Sequence, residues 1–306
     1  MAQKVLGWAA HDDSGKLRTF IFTRRYEIVG IITKVGSNVG DFKIGDRVGV
    51  GFVSHTCLKC ELCNNSKENY CDQMRPVYNG IASDGSVTYG GYCVHIPNNL
   101  PMDRAAPLLG AGITVYCAMK NSNIFESPGK QIGVIGLGGL GHMAIKFAKA
   151  FGHHVTVIST SPSKEKLAKD KLGSDHFILS TNPTQMQWSR RSLDFILDTV
   201  SANHSLGPYI ELLKVDGTLA IVGEPPNPID FPSTPLIYGK RTIKGSIIGS
   251  VEEIEEMMDL CGKYEILPDI ELVSPKRVNE AFDRLLKNDV KFRFVLDIAG
   301  DQASRL

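Results

Sequence analysis

Gln131-Ile132-Gly133-Val134-Ile135-Gly136-Leu137-Gly138-Gly139-Leu140-Gly141 is the stretch on which the fold turns. Residues 131–135 read as a short apolar strand. Gly136, Gly138 and Gly141 follow at G-x-G-x-x-G spacing, and an amphipathic helix is expected over 142–151. Gly136 permits a tight turn, Gly138 lets backbone N–H groups approach a pyrophosphate, and Gly141 lets the helix pack closely on the sheet. The helix N-terminus adds partial positive charge where phosphates would lie. Such a glycine motif alone is weak; a strand before it and a helix after it give it weight.

Downstream, the pattern repeats. A second strand is expected over 154–159, a second helix over 163–172, and further strands over 177–179, 193–198, 218–222 and 242–247. Alternating β and α units predict a parallel, doubly wound sheet. The end of the second strand selects between nicotinamide cofactors. An NAD site carries Asp or Glu there for the ribose hydroxyl. This chain has Ser159-Thr160-Ser161-Pro162-Ser163-Lys164, with no carboxylate to repel a 2′-phosphate and with hydroxyls and an ammonium to bind it. NADP(H) is therefore expected over NAD(H), although the same residues can also cap the helix that follows.

Upstream, the first hundred residues read as β-rich, with runs at 5–10, 27–35 and 47–53. Residues 57–91 read as a polar, glycine-punctuated loop. Cys57, Cys60, Cys63 and Cys71 lie in it at C-x2-C-x2-C-x7-C spacing, which suits a tetrahedral thiolate cage for zinc. Four cysteines leave no open coordination position, so the ion holds the loop and does no chemistry. Helices are expected over 252–261 and 276–286 and a strand over 293–298.

The 306 residues are enough for two domains. A net charge of +1 and the absence of long single-sign runs exclude a nucleic-acid or membrane-surface partner. Residues 1–16 lack the regions of a signal peptide, and no stretch is long and apolar enough to span a bilayer. Outside the cage, Cys93, Cys117 and Cys261 are scattered, as reduced thiols in a cytoplasmic protein are. Cys117 and Cys261 read as core thiols, and His55, His95, His204 and Cys93 as solvated loop residues.

Taken in order, the cysteine loop, Gly45-Asp46-Arg47-Val48, the glycine turn and the Ser159–Lys164 run resemble the zinc-type medium-chain alcohol dehydrogenases, and within them the plant cinnamyl alcohol dehydrogenases. Gly7-Trp8-Ala9-Ala10, Tyr89-Gly90-Gly91-Tyr92, Ala111-Gly112-Ile113-Thr114 and Phe292-Arg293-Phe294-Val295 extend the likeness over nearly the whole chain. The resemblance implies an α/β protein. A GroES-like β domain (1–110 and 249–306) would bind substrate and carry the structural zinc, and a Rossmann domain (111–248) would bind NADP(H). It implies a homodimer that interconverts cinnamyl-type aromatic or allylic aldehydes and alcohols, with a phenylpropanoid or lignin role. Its cofactor contacts fall on Thr114, on Gly136, Leu137, Gly138, Gly139, Leu140 and Gly141, and on Ser159, Thr160, Ser161, Pro162, Ser163 and Lys164. Thr199, Gly223, Ser246, Ile247 and Ile248 complete the set.

The family also holds a reactive zinc, and here the chain departs from it. The early C-H-[ST]-D motif is missing, and Arg24-Arg25 runs directly into Tyr26-Glu27, where the family has a long segment. Tyr26 stands at the ligand histidine and Gly110 at the last ligand cysteine, so Glu27 alone is left of that site. A lone carboxylate does not hold zinc against water. Ordinary alcohol oxidation is then expected to be weakened or lost. The alternatives are a zinc-independent NADPH reductase of conjugated or iminium substrates, with Tyr26 as proton donor, and a non-catalytic cofactor binder or truncated product.

Overall fold

The computed structural model describes residues 5–10, 17–22, 27–37, 39–77, 92–287 and 289–298, the first two segments as backbone strands only. Chain contacts divide it into two units, Met1–Gly110 with Ser250–Leu306, and Ala111–Gly249.

In the second unit the apolar runs pair into one parallel sheet. Its strands are β1 (Gln131–Ile135), β2 (His154–Ser159), β3 (His176–Leu179), β4 (Leu193–Asp198), β5 (Leu213–Ile221) and β6 (Thr242–Gly245). They lie in the order β3-β2-β1-β4-β5-β6. That is the doubly wound dinucleotide-binding order, and it reverses between β1 and β4. Strands covered on both faces need near-continuous apolar residues. Accordingly Ile158, Ile196 and Leu219 are fully buried.

Local departures from the expected elements have physical causes. The helix expected from residue 142 begins earlier and spans Gly139–Ala150, because the glycine turn itself enters the helix. The expected helix over 163–172 opens as a 3₁₀ turn at Pro162–Lys164 and widens to a π-turn over Leu167–Lys171, closing on Gly173 at φ 71°. Strand β5 starts well before residue 218, and its register with β4 shifts between Leu193 and Phe195.

Helix Ala111–Lys120 is buried along nearly its whole length, Cys117 included. Tyr116 of this helix packs on Phe147 of helix Gly139–Ala150, with ring centroids 5.6 Å apart. Phe125 lies 5.3 Å from Tyr116 and stacks on Phe151 at 4.0 Å.

The first unit is built of small sheets. Ile28–Ile31, Arg47–Val50 and Cys93–His95 form a three-stranded antiparallel sheet. The run expected at 27–35 is thus shorter, since Ile32 leaves the ladder to close a turn with Gly45 and Asp46. Gly45 takes φ 94°, which explains the glycine. The run expected at 47–53 breaks, and Val53–His55 pairs instead with Arg75–Pro76. Val5–Ala10 pairs with Leu17–Phe22, a strand outside the expectation. Helix Val251–Tyr264 begins at a capping box in which Ser250 and Glu253 satisfy each other's backbone N–H groups, and Cys261 lies buried on its inner face. The helix expected over 276–286 spans Val278–Leu286. Ile270–Val273 and Arg293–Leu296 pair in parallel. Among the described residues no helix is long and apolar enough to cross a membrane.

The aromatic cluster supplies a test of this packing. Phe147→Ala is expected to cost about 3–5 kcal/mol, seen as a lower urea midpoint while the far-ultraviolet circular dichroism of the folded protein is retained.

Candidate cofactor site and metal centre

The three motif glycines have three different reasons to lack a side chain. Gly136 takes φ 87°, and a Cβ there would lie 2.9 Å from Val200 Cγ2 and 3.0 Å from Thr199 Oγ1. A Cβ on Gly141 would lie 2.1 Å from the Gly136 carbonyl oxygen, so the helix could not sit against the turn. A Cβ built on Gly138 would meet nothing within 4 Å. This open side faces a helix N-terminus whose first bond runs from the His142 N–H to the Gly138 carbonyl at 3.0 Å. The N–H groups of residues 139–141 therefore have no partner within the helix, and no acidic residue occupies its first turn. The result is a cradle for an anion.

The run after β2 is brought to the same place. Lys164 Nζ donates to the Leu137 carbonyl at 3.0 Å, which ties residue 164 to the glycine turn. The hydroxyls of Ser161 and Ser163 lie 2.9 Å apart, and Ser159 Oγ accepts from the Ser161 N–H at 3.2 Å. Thr160 is exposed and Pro162 opens the 3₁₀ turn. Glu165, the nearest acid in sequence, is engaged by Lys169 at 2.7 Å. The donor set matches a phosphate better than a sugar hydroxyl.

The remaining expected contacts flank the strand ends. Thr199 Oγ1 donates to the Ile135 carbonyl at 2.7 Å, beside the turn. Gly223 lies under the next residue, since a Cβ there would stand 2.3 Å from the Val200 carbonyl oxygen. Ser246 continues from β6 through an N–H to the Ile221 carbonyl at 3.0 Å. Its hydroxyl is buried without a hydrogen-bond partner among the described residues, a donor ready for a ligand. Ile247 is partly exposed and Ile248 buried. Thr114 is half-buried on helix Ala111–Lys120.

His204 is not the solvated loop residue expected of it. Its Nε2 lies 2.9 Å from Oδ2 of Asp198, and the two side chains are only 14% and 0% exposed. The clue in the sequence was a carboxylate ending a buried strand six residues before a histidine. Nothing in local spacing says that the intervening loop folds back. His55 is exposed and His95 stacks on Phe42 at 4.6 Å.

In the other unit the four cysteines converge. Their sulfurs all lie within 4.8 Å of one another. The contacts are 3.8 Å for Cys57–Cys63, 3.5 Å for Cys60–Cys63 and 3.9 Å for Cys60–Cys71. A tetrahedron with zinc–sulfur bonds of 2.3 Å has edges of about 3.8 Å, so the cage fits zinc. The Lys59 backbone N–H, followed by that of Cys60, holds the Cys57 thiol down at about 6. At Cys60 the Cys63 N–H pulls the same way, but the crowded thiols and desolvation outweigh it and lift the group to about 11. One thiolate thus discourages the next, the repulsion that a dication relieves. Glu68, buried just before Cys71, accepts from the Val251 N–H at 2.6 Å and anchors the loop to the N-terminus of helix Val251–Tyr264.

An alcohol dehydrogenase GroES-like domain model matches residues 8–100, and a zinc-binding dehydrogenase model matches 139–263. The "Probable cinnamyl alcohol dehydrogenase 6" of Oryza sativa subsp. japonica is 50% identical, covering 98% of this chain and 97% of its own. A cinnamyl alcohol dehydrogenase structure from Sorghum bicolor superposes with a TM-score of 0.93 at 40% identity, covering 97% of this chain and 98% of that one. One from Helicobacter pylori, complexed with NADP(H), gives 0.87 at 30% identity over 97% and 99%.

The chain belongs to the plant cinnamyl alcohol dehydrogenase-like family of zinc-type medium-chain dehydrogenases. The α/β fold with a GroES-like part and a six-stranded Rossmann sheet is that of the family. The alignment with the rice relative runs over 349 positions against 306 residues here, so at least 43 positions are filled by the relative alone. Both chains are covered almost end to end, which makes the shortening internal.

The family's reactive zinc finds a poor donor set here. Glu27 takes φ 59° and its Oε1 lies 3.7 Å from the Arg293 guanidinium, so its charge is directed to a cation already present. Gly110 closes the 3₁₀ turn Ala106–Leu109 and has no side chain to offer. Tyr26 lies outside the described residues. Among the described residues the four-cysteine cage is the only cluster of three or more metal-ligating side chains. These residues do not fit a second zinc.

Metal analysis of the purified chain is accordingly expected to find one zinc, and Cys60→Ser to lose it. Cage zinc contributes on the order of 10 kcal/mol in small zinc domains, so the variant should show early proteolysis within 57–77 and a lowered melting temperature.

Proposed function

We propose that the chain is an NADP(H)-dependent oxidoreductase acting on cinnamyl-type aromatic or allylic aldehydes and alcohols. The observation that carries this reading is the joint placement of the open face at Gly138 and the Lys164 ammonium on one glycine turn. When bound, NADP(H) supplies or takes the hydride. The chain's own residues bind and orient it. The N–H groups of residues 139–141 meet the pyrophosphate. Ser161, Ser163 and Lys164 take the 2′-phosphate, with Ser159, Thr160 and Pro162 shaping that turn. Thr199, Gly223 and the 246–248 segment line the strand ends toward the nicotinamide, and Thr114 is the contact contributed by helix Ala111–Lys120. The 111–248 part is the cofactor domain, and 1–110 with 249–306 the substrate domain. The rice, sorghum and Helicobacter relatives support the substrate class by name, and the last of them the cofactor. A cytoplasmic homodimer with a phenylpropanoid role is part of the same reading.

A second reading is favoured by the engagement of Glu27 with Arg293 and by the missing positions. Without a Lewis acid the substrate must already be electrophilic. Hydride then goes to the β-carbon of an enal, whose α-carbon takes a proton from Tyr26 or water, or to an iminium carbon, which hydride alone converts to the amine. Incubation with cinnamaldehyde and NADPH separates the readings: cinnamyl alcohol supports the first and the saturated aldehyde the second. Cofactor binding with neither product marks a non-catalytic binder.

Lys164→Ala is expected to weaken NADPH binding by about tenfold or more, the loss of a charge-assisted contact. NADH binding should change little. Equal losses for both cofactors would remove the 2′-phosphate role.

A further inference from the structure

The loop that follows β4 crosses directly behind the glycine turn. The Thr199 N–H and hydroxyl both reach the Ile135 carbonyl, at 3.1 and 2.7 Å. The Asp198 carbonyl accepts from the Val222 and Gly223 N–H groups at 3.0 and 3.1 Å. Further on, Ser201 Oγ accepts from the Glu224 N–H at 3.4 Å, and Asn203 Oδ1 from that of Asn227 at 3.3 Å. The place where this loop is tied to itself is the Asp198–His204 pair.

The partners of that pair restrict its protons. His204 Nδ1 lies 2.8 Å from the Ala202 carbonyl, which can only accept, so Nδ1 carries a hydrogen. Nε2 faces Oδ2 at 2.9 Å. That contact is a hydrogen bond only while a proton lies between the two atoms, as imidazolium with carboxylate or as imidazole with carboxylic acid. The other carboxylate oxygen, Oδ1, already accepts from the Val200 N–H at 3.1 Å. With the shared proton gone, either the buried carboxylate faces the Nε2 lone pair, or the imidazole carries its remaining hydrogen on Nε2 and turns the Nδ1 lone pair to the Ala202 carbonyl; either way the loop loses one of its two histidine hydrogen bonds.

We propose that Asp198 and His204 are positioning residues, a proton-held clamp that sets the 199–205 loop against the glycine turn. Cofactor affinity then falls as rising pH removes the shared proton. The inference rests on the NADP(H) reading above. Burial lifts the Asp198 carboxyl, against the opposing pull of the Val200 N–H and of His204. A group raised in this way keeps its stabilising proton below its folded value and loses it as pH rises through that value. Among the described residues His204 is the one charged partner acting on Asp198. From the next turn Tyr209 meets the imidazole edge-on, with ring centroids 6.0 Å apart. From beyond β5, Glu224 touches the loop through its backbone.

The test is fluorescence titration of the full-length zinc-loaded chain with NADPH, from about pH 6 to about pH 9, so that affinity is read against proton concentration. Wild-type affinity should fall with pH. His204→Ala should weaken binding about tenfold near neutrality and flatten the profile. Asp198→Asn keeps an N–H for Nε2 and an oxygen for the Val200 N–H, so it should flatten the profile while restoring affinity at the alkaline end. A purely structural pair would lower both melting temperatures and leave the shape of the profile unchanged, which overturns the clamp. So does a folded His204→Ala that binds as wild type does. If His204→Ala does not fold, the Asp198→Asn profile decides alone. Absence of NADPH binding by the wild type throughout removes the cofactor reading and the clamp together, whereas wild-type binding with unaffected variants removes only the clamp.

Discussion

A side chain at residue 141 would have to occupy the space of the Gly136 carbonyl, 2.1 Å away. The site in the Ala111–Gly249 unit depends on that near contact. It lets helix Gly139–Ala150 start inside the turn, so that its unbonded N–H groups end where β1 ends. It leaves Gly138 facing open space, and it gives Lys164 a carbonyl to hold at Leu137. The sheet order reverses at the same point, between β1 and β4, so the loops after these strands diverge and leave a crevice.

The two expected metal positions differ in how they depend on the rest of the chain. The cage is local. Cys57, Cys60 and Cys63 lie within seven residues, a short helix at Glu61–Asn64 presents the third, and Glu68 anchors the segment that delivers Cys71. Sulfurs brought this close repel one another once ionised, and zinc resolves the conflict. The reactive position needs donors from distant segments, and this chain is internally shorter than its relatives. Glu27 persists but is turned to Arg293, which is itself delivered by a strand near the C-terminus. The cysteine cage and the glycine turn are therefore independent of the reactive position, because neither draws on the same residues.

Much of this was legible because it rests on short-range rules. Glycine spacing between a strand and a helix, four closely spaced cysteines, and the lack of acid after β2 each carry their chemistry within about fifteen residues. Element ends were less legible. Helix Gly139–Ala150 begins three residues early because hydrogen bonding, not amphipathicity, decides where a helix starts. Strand 27–35 ends early because Ile32 bonds to a turn that hydropathy does not mark.

By itself the sequence determined the α/β class, the thiolate cage, the glycine turn and the acid-free, hydroxyl-rich run after β2, because each is written in spacing and residue type. Tertiary structure alone decided that Lys164 closes on Leu137, that Glu27 meets Arg293, and that Asp198 and His204 pair in a buried contact. Those contacts join residues on different elements, and their strength comes from burial, a property of the packed chain that no local run of residues contains.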